Sequence, residues 1–237
     1  MKKTQLLLAL FLQILCFNFG YAQAQSDKVA IDIVNKSIDA MGGKKLIESI
    51  KTLYTDSETK MEGRNVNWVV REMLPNKGSF QIVYQGRVVF QNCYNGKIGY
   101  LLNNGERQLA DQEEFKDKKY KKNIFNELDF INPSLCQLEY LGEEIVDGNN
   151  CNKIKATLVN GFVQMLYYDK NTFHLAKSEK VLNAEKNSFS TTYYGKYKKF
   201  KDLTYFSEMR FGENDSAQVA TITKLVYNEN ITAKDFE

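Results

Sequence analysis

The stretch Leu53-Tyr54-Thr55-Asp56-Ser57-Glu58-Thr59-Lys60-Met61 sorts its residues into two sets with a period of two. Leu53, Thr55, Ser57, Thr59 and Met61 fall on one side; Tyr54, Asp56, Glu58 and Lys60 fall on the other. Successive side chains of an extended chain point to opposite faces. This is therefore a strand with one dry and one wet face, as in an antiparallel sheet. Downstream, Val66, Trp68 and Val70 alternate, Pro75-Asn76-Lys77-Gly78 turns, and Phe80, Ile82 and Tyr84 alternate again. Gln85-Gly86 leads into Val88 to Tyr94, Asn95-Gly96 is a hairpin signal, and Ile98, Tyr100 and Leu102 follow. The pattern resumes near Leu135 and runs through turns at Asp147-Gly148, Asn160-Gly161 and Asp169-Lys170-Asn171 to the segments His174–Leu182, Ser188–Tyr197, Leu203–Phe211 and Gln218–Tyr227. Short turns between strands predict an antiparallel meander of about eleven strands.

Two segments interrupt the alternation. Upstream, Ser26 and Asp27 are N-cap residues, and Val29, Ile33, Ile38 and Met41 gather on one face of a helix stopped by Gly42-Gly43. Lys44 to Ile50 reads as a second, short helix. In the middle, 104–132 is charged and carries Phe115, Tyr120, Ile124, Phe125, Leu128 and Phe130, which predicts an inserted helical segment at 111–130. The fold class is mainly β: an open antiparallel barrel or half-barrel, with an N-terminal helix and a helical insertion as its lid. About eleven strands enclose more space than side chains fill. The inward set would be Trp68, Val70, Phe80, Ile82, Tyr84, Phe90, Tyr100, Leu158, Leu166 and Tyr168. Such a set lines an apolar cavity for an acyl chain, or is plain core if the helices fill the barrel.

The N-terminus carries an address. Lys2 and Lys3 precede the apolar run Leu6–Phe19, which ends in Tyr21-Ala22-Gln23-Ala24, the build of a secretory signal peptide at 1–24. The remainder, 25–237, shows no linker and reads as one domain; the expected location is the periplasm. Gln13-Ile14-Leu15-Cys16 lacks the small residues of a lipoprotein cleavage site. Beyond the leader stand Cys93, Cys136 and Cys151. A turn at 147–150 places Cys136 about ten residues along its strand from the partner of Cys151, too far for a disulfide. All three are expected to be free, buried thiols.

The composition excludes several function classes. Lys+Arg is 32 against 29 Asp+Glu, too balanced for a dedicated nucleic-acid binder. A single histidine, His174, leaves no His-rich metal site and no His–His pair. There is no Gly-x-Ser-x-Gly elbow, Cys-x-x-Cys or glycine-rich phosphate loop. No catalytic residue, metal or cofactor is expected. A hydrolase would require carboxylates to converge on His174. Lys116, Lys118, Lys119, Lys121 and Lys122 are either a solvated face or a patch for anionic headgroups, a membrane surface or a membrane-protein partner. A second cluster, Lys196, Lys198, Lys199 and Lys201, lies near a late turn.

The order of short motifs resembles the outer-membrane lipoprotein carrier/receptor (LolA/LolB-like) superfamily, in its Bacteroidetes-type lipoprotein-sorting-like branch. Ile38-Asp39-Ala40-Met41-Gly42-Gly43, Leu46 and Ile50-Lys51-Thr52-Leu53 resemble its opening helix and first strand. Tyr94-Asn95-Gly96-Lys97-Ile98-Gly99-Tyr100 is similar to its Asp/Asn-Gly-Lys-x-x-aromatic hairpin. Tyr140-Leu141-Gly142, Val146-Asp147-Gly148 and 153–169 resemble its central strands; Tyr197, Phe200, Asn228, Ile231 and Phe236 resemble its end. The resemblance implies an unclosed barrel with a helical lid that binds acyl chains of lipoproteins or other lipids without catalysis, and that carries them toward the outer membrane. The family's Arg before Pro, tied to lid contact, is replaced by Leu74 before Pro75; Arg71, three residues earlier, is the available substitute. The alternative is a cell-envelope interaction module with the same fold and no functional cavity.

Overall fold

The computed structural model describes residues 26–103, 105–183, 188–212 and 217–237. The leader expected at 1–24 lies outside them. Among the described residues, no helix is long and apolar enough to cross a membrane, and no cluster of His, Cys, Asp and Glu has the build of a metal site.

Helix α1 (Lys28–Ala40) begins where Asp27 accepts a 2.7 Å hydrogen bond from the Val29 amide and buries Ala30, Ile33, Val34 and Ile38. It ends at Gly42 (φ +126°), where a Cβ would stand 2.9 Å from the Asp202 carbonyl oxygen, a close approach open only to glycine. Helix α2 (Lys44–Ser49) follows. The strands are β1 (Thr52–Met61), β2 (Arg64–Met73), β3 (Lys77–Tyr84), β4 (Arg87–Tyr94), β5 (Gly99–Asn103), β6 (Glu106–Leu109), β7 (Cys136–Val146), β8 (Asn149–Leu158), β9 (Val163–Asp169), β10 (Leu175–Asn183), β11 (Ser188–Gly195), β12 (Lys198–Phe200), β13 (Leu203–Tyr205), β14 (Glu208–Phe211) and β15 (Gln218–Tyr227). Thirteen of them form one antiparallel sheet in the order β6-β5-β4-β3-β2-β1-β15-β14-β11-β10-β9-β8-β7; β12 and β13 pair separately as a hairpin arm.

Strands β1–β6 and β7–β11 each form a meander, β14 pairs with β11 across the arm, and β15 returns to pair with β1, Leu53 opposite Tyr227. The two halves of the sheet join there. β6 and β7 stand at opposite edges and do not pair, so the sheet is unclosed. The insertion joins these two edges. It contains 3-10 turns at Gln112–Phe115 and Lys118–Tyr120 and one short helix, α3 (Asn126–Phe130). The expected helical lid at 111–130 is thus mostly turns. The strand count exceeds about eleven for two reasons: Glu106–Leu109 forms a strand within the charged segment, and Ser188–Phe211 breaks into four pieces around the arm.

The alternation of β1 is realised as read: Leu53, Thr55, Ser57 and Thr59 are buried, while Glu58 and Lys60 are exposed. The buried positions define the inner face, on which the helices pack. A core joins Ile33, Val34 and Ile38 of α1 to Phe125, Leu128 and Phe130 of the insertion and to Leu138, Ile154, Ala156 and Leu166 of β7–β9. Each such aliphatic side chain contributes roughly 1.5–3 kcal/mol by leaving water. The outer face is covered near β3 by the C-terminal 3-10 turn Ala233–Phe236, which buries Phe236 completely.

The insertion is fastened on both sides of the seam. The Phe115 ring occupies the space above Gly99, where a Cβ would come within 2.2 Å of it. Gln112 bonds both the N–H (2.9 Å) and the carbonyl (3.0 Å) of Gly99. Across the gap, Asn160 in the β8–β9 turn donates to Asp117. Cys93, Cys136 and Cys151 are free and buried. Cys136 pairs with Leu158 at one end of the β7–β8 ladder, while Cys151 pairs with Glu144 near the other. The turn between them is tighter than the expected 147–150, with Val146 opposite Asn149.

Candidate functional site

Register decides which residues reach the inner face. Ser57 pairs with Trp68, Trp68 with Ile82, and Ile82 with Phe90; Thr55 pairs with Val70 and Val70 with Phe80. These residues therefore stand on the inner face beside one another. Their rings touch: Trp68 meets Phe80 edge-on at 5.6 Å and Phe211 of β14 at 5.5 Å, and Phe80 lies 6.4 Å from Phe90. The helices lean on the β7–β9 side of the sheet. Trp68, Val70, Phe80, Ile82, Tyr84 and Phe90 are consequently half-buried, an aromatic shelf that the core does not cover. Tyr84 sits at its rim, with the Arg64 guanidinium 5.7 Å from its ring centroid.

Beside the shelf the inner space divides into two chambers under the insertion. One, of about 280 Å³, is lined by Val70 and Glu72 of β2, Met209 of β14, Tyr194 of β11, Tyr197, Tyr205 and Phe206 of the arm region, His174, and Phe125 and Glu127 of the insertion. The other, of about 390 Å³, is lined by Leu158, Phe162, Ser178, Lys180, Tyr194 and, from the insertion, Lys118, Lys121 and Phe130. They share Lys121, Asn126 and Tyr194. The interior is therefore rich in tyrosines and charged groups, in contrast to the expected wholly apolar cavity.

Four sequence expectations are displaced. Tyr100 pairs with Cys93 and points to the outer face, with the Arg107 guanidinium 4.0 Å from its ring centroid. The loop 95–98 has four residues, which exchanges even and odd positions between the faces; Leu101 takes the inner position. Leu166 and Tyr168 are inner-facing but lie fully buried in packed core (1% and 0% exposed), whereas Leu158 does line a chamber. Arg71 lies on the outer face, where it donates a 2.7 Å hydrogen bond to Gln81 and stands over the Tyr54 ring, remote from any lid contact. The five lysines do not form one patch. Lys121 pairs with Glu72 at 2.5 Å and Lys118 packs against Gly78 with its ammonium pushed toward the neutral form by burial, while Lys116, Lys119 and Lys122 are exposed.

His174 stacks on Tyr197 at 3.9 Å, with its pKa lowered chiefly by burial and partly restored by Asp169. Burial pushes the Glu127 carboxyl up, opposed by a backbone hydrogen bond and Lys121. Burial, then the Glu127 charge, raises the phenols of Tyr197 and Tyr205.

No family model matches the sequence, and no curated protein does. The solved structures do. A LolA superfamily protein from Nitrosomonas europaea superposes with a TM-score of 0.57 at 11% identity, over 88% of this chain and 97% of the other. The fold is LolA-like. A Vibrio parahaemolyticus domain described as an outer membrane lipoprotein-sorting protein gives 0.56 at 13% identity, over 88% and 96%. A DUF1329 family protein from Desulfovibrio piger gives 0.61 at 12% identity, over 90% and 98%.

Within this LolA-like frame, Tyr194, Tyr205, Phe206, Met209, Phe211 and Glu127 line the interior without having been singled out from sequence. The continuous reading of Leu203–Phe211 as one strand hid the arm, in which β13 ends at Tyr205 and β14 begins at Glu208. Consecutive aromatics gave no signal of the break, since Tyr167-Tyr168 and Tyr193-Tyr194 lie within continuous strands.

Proposed function

We propose that this protein is a periplasmic, non-enzymatic binder of lipid or lipoprotein acyl chains, a carrier of lipid within the cell envelope. The observation that carries this reading is the aromatic shelf of Trp68, Phe80, Phe90 and Phe211: half-buried, on the inner face of an unclosed sheet, and continuous with the chambers through Val70 and Met209. Contiguous apolar surface of this kind marks ligand or partner contact. An acyl chain laid along the shelf removes its surface from water at about 25 cal/mol per Å². The leader at 1–24 supports export, and the single domain at 25–237 would be the exported unit. The lipoprotein-sorting description of the Vibrio structure agrees with this direction.

The test uses Trp68, the only tryptophan of the chain. Titration with a fatty acid brominated along its chain should quench Trp68 fluorescence saturably, and Phe80→Asp should abolish the saturable phase. Unchanged emission up to the solubility limit of the probe contradicts the reading.

A further inference from the structure

The smaller chamber has a chemistry of its own. Phe125, Tyr205 and Phe206 form a chain of rings with centroids 5.7 and 4.0 Å apart, and Phe206 continues to Tyr194 at 4.8 Å and Tyr197 at 6.3 Å. Five aromatic rings thus border a space of about 280 Å³. Glu127, on α3, joins them at the wall. The cation that acts on it, Lys121, is committed to Glu72 through the 2.5 Å ion pair, and Glu127 has no ion-pair partner of its own among the described residues. A half-buried carboxyl lining the same space as five aromatic rings is a site for a cation that is itself poorly hydrated, which is how alkylated ammonium groups are recognised.

We propose that this chamber seats the ammonium group of an alkylammonium amphiphile, with Phe125, Tyr194, Tyr197, Tyr205 and Phe206 as its aromatic cage and Glu127 as its counter-ion. The proposal rests on the reading of the inner face as an acyl-chain site and names the headgroup at its end. The exit is defined by the register. Val70 lines the chamber and pairs with Phe80, and Met209 lines it two residues before Phe211. A chain leaving the cage therefore runs onto the Trp68–Phe80–Phe211 shelf. Lys118 and Lys180, the cations remote from this end, line only the larger chamber.

Occupancy depends on pH. The groups acting on Glu127 are Lys121 and Asp129 from its own segment; Glu72 of β2, His174 before β10, and Tyr168, Tyr194, Tyr197 and Tyr205 of β9, β11 and the arm stand around it. Binding a cation draws the Glu127 proton off, so affinity rises with pH across the raised titration of that carboxyl.

The experiment compares decyltrimethylammonium, decanol, decanoate and tetramethylammonium by Trp68 fluorescence and calorimetry, below their aggregation limits. Decyltrimethylammonium should bind about thirtyfold more tightly than decanol, the value expected of a desolvated cation–π contact. That preference should disappear in Glu127→Gln, shrink in Phe206→Leu, and fall in the unaltered protein as pH is lowered through the raised titration of Glu127. Tetramethylammonium alone should bind far more weakly, because it lacks the chain. Equal affinity for the three decyl probes, tighter decanoate binding, or a preference that survives Glu127→Gln overturns the headgroup assignment and leaves the acyl-chain reading standing. Tetramethylammonium binding as tightly as the decyl compound assigns the chamber to free amines and overturns the amphiphile. Failure of every decyl probe removes both.

Discussion

Asp129→Ala should loosen the insertion that closes the seam of the sheet. Asp129 is 9% exposed, and its carboxylate holds three donors: the Lys122 amide at 3.1 Å, the Asn123 amide at 3.4 Å and the Asn123 side-chain nitrogen at 2.7 Å. Hydrogen bonds to a charged group are worth about 1.5–3 kcal/mol each, and stranded buried donors cost about 1–3 kcal/mol. A second effect opposes these. Burial pushes the Asp129 carboxyl up more than its hydrogen bonds bring it down, so removing the charge relieves desolvation. The net loss is then about 2–3 kcal/mol, or about 4–12 °C in melting temperature for a chain of this size. Asp129→Asn retains one acceptor oxygen and should lose about half as much. Calorimetry gives the melting temperature, and hydrogen exchange should show faster exchange at 121–126 while the α1–β7–β9 core stays protected. An Asp129→Ala protein that melts within 2 °C of the parent (below the range worked above) with unchanged exchange there would refute this account of how the insertion is held.

Four further outcomes follow from the packing. Gly99→Ala places a Cβ 2.2 Å from the Phe115 ring, so it should cost about 1–3 kcal/mol and speed exchange at 112–118, measured by urea unfolding and hydrogen exchange. Ile154→Ala, at a fully buried position between Tyr140 and Leu166 in register, should cost about 3 kcal/mol in urea unfolding. The three thiols beyond the leader should not react with a disulfide reagent in the native protein and all should react in denaturant; burial pushes Cys136 up to about 12 and Cys151 to about 11. His174 titrates lower folded than unfolded, so the unfolded chain binds the extra proton and stability falls as pH drops below about 6.5. His174→Gln should lose that component, seen as a parent melting temperature that falls relative to the variant's as pH is lowered from 8 to 5.

The sequence made the sheet legible because its strands are half-buried. Leu53–Met61 alternates cleanly since one face meets the core and the other meets water. The same rule placed Trp68, Val70, Phe80, Ile82 and Phe90 on one face, because the β2–β3 and β3–β4 registers keep even positions opposite even ones. It failed at Tyr100, where a four-residue loop reverses parity, a property of the turn and not of the strand. The site was less legible. Glu127 stands among charged residues that read as surface, yet it lines the smaller chamber. Lys118 and Lys121 read as members of one basic run, yet the 3-10 turn at Lys118–Tyr120 swings them inward and leaves Lys116, Lys119 and Lys122 in water. Long-range packing decides those directions, and no local period encodes it.

Native mass spectrometry of the protein purified gently from its native cells tests the central claim most directly. The account gives a population heavier than the apo chain by the mass of a lipid or acylated peptide, lost on solvent extraction and restored by adding the extract back. A single apo mass, unchanged after incubation with lipids and lipopeptides, would contradict it.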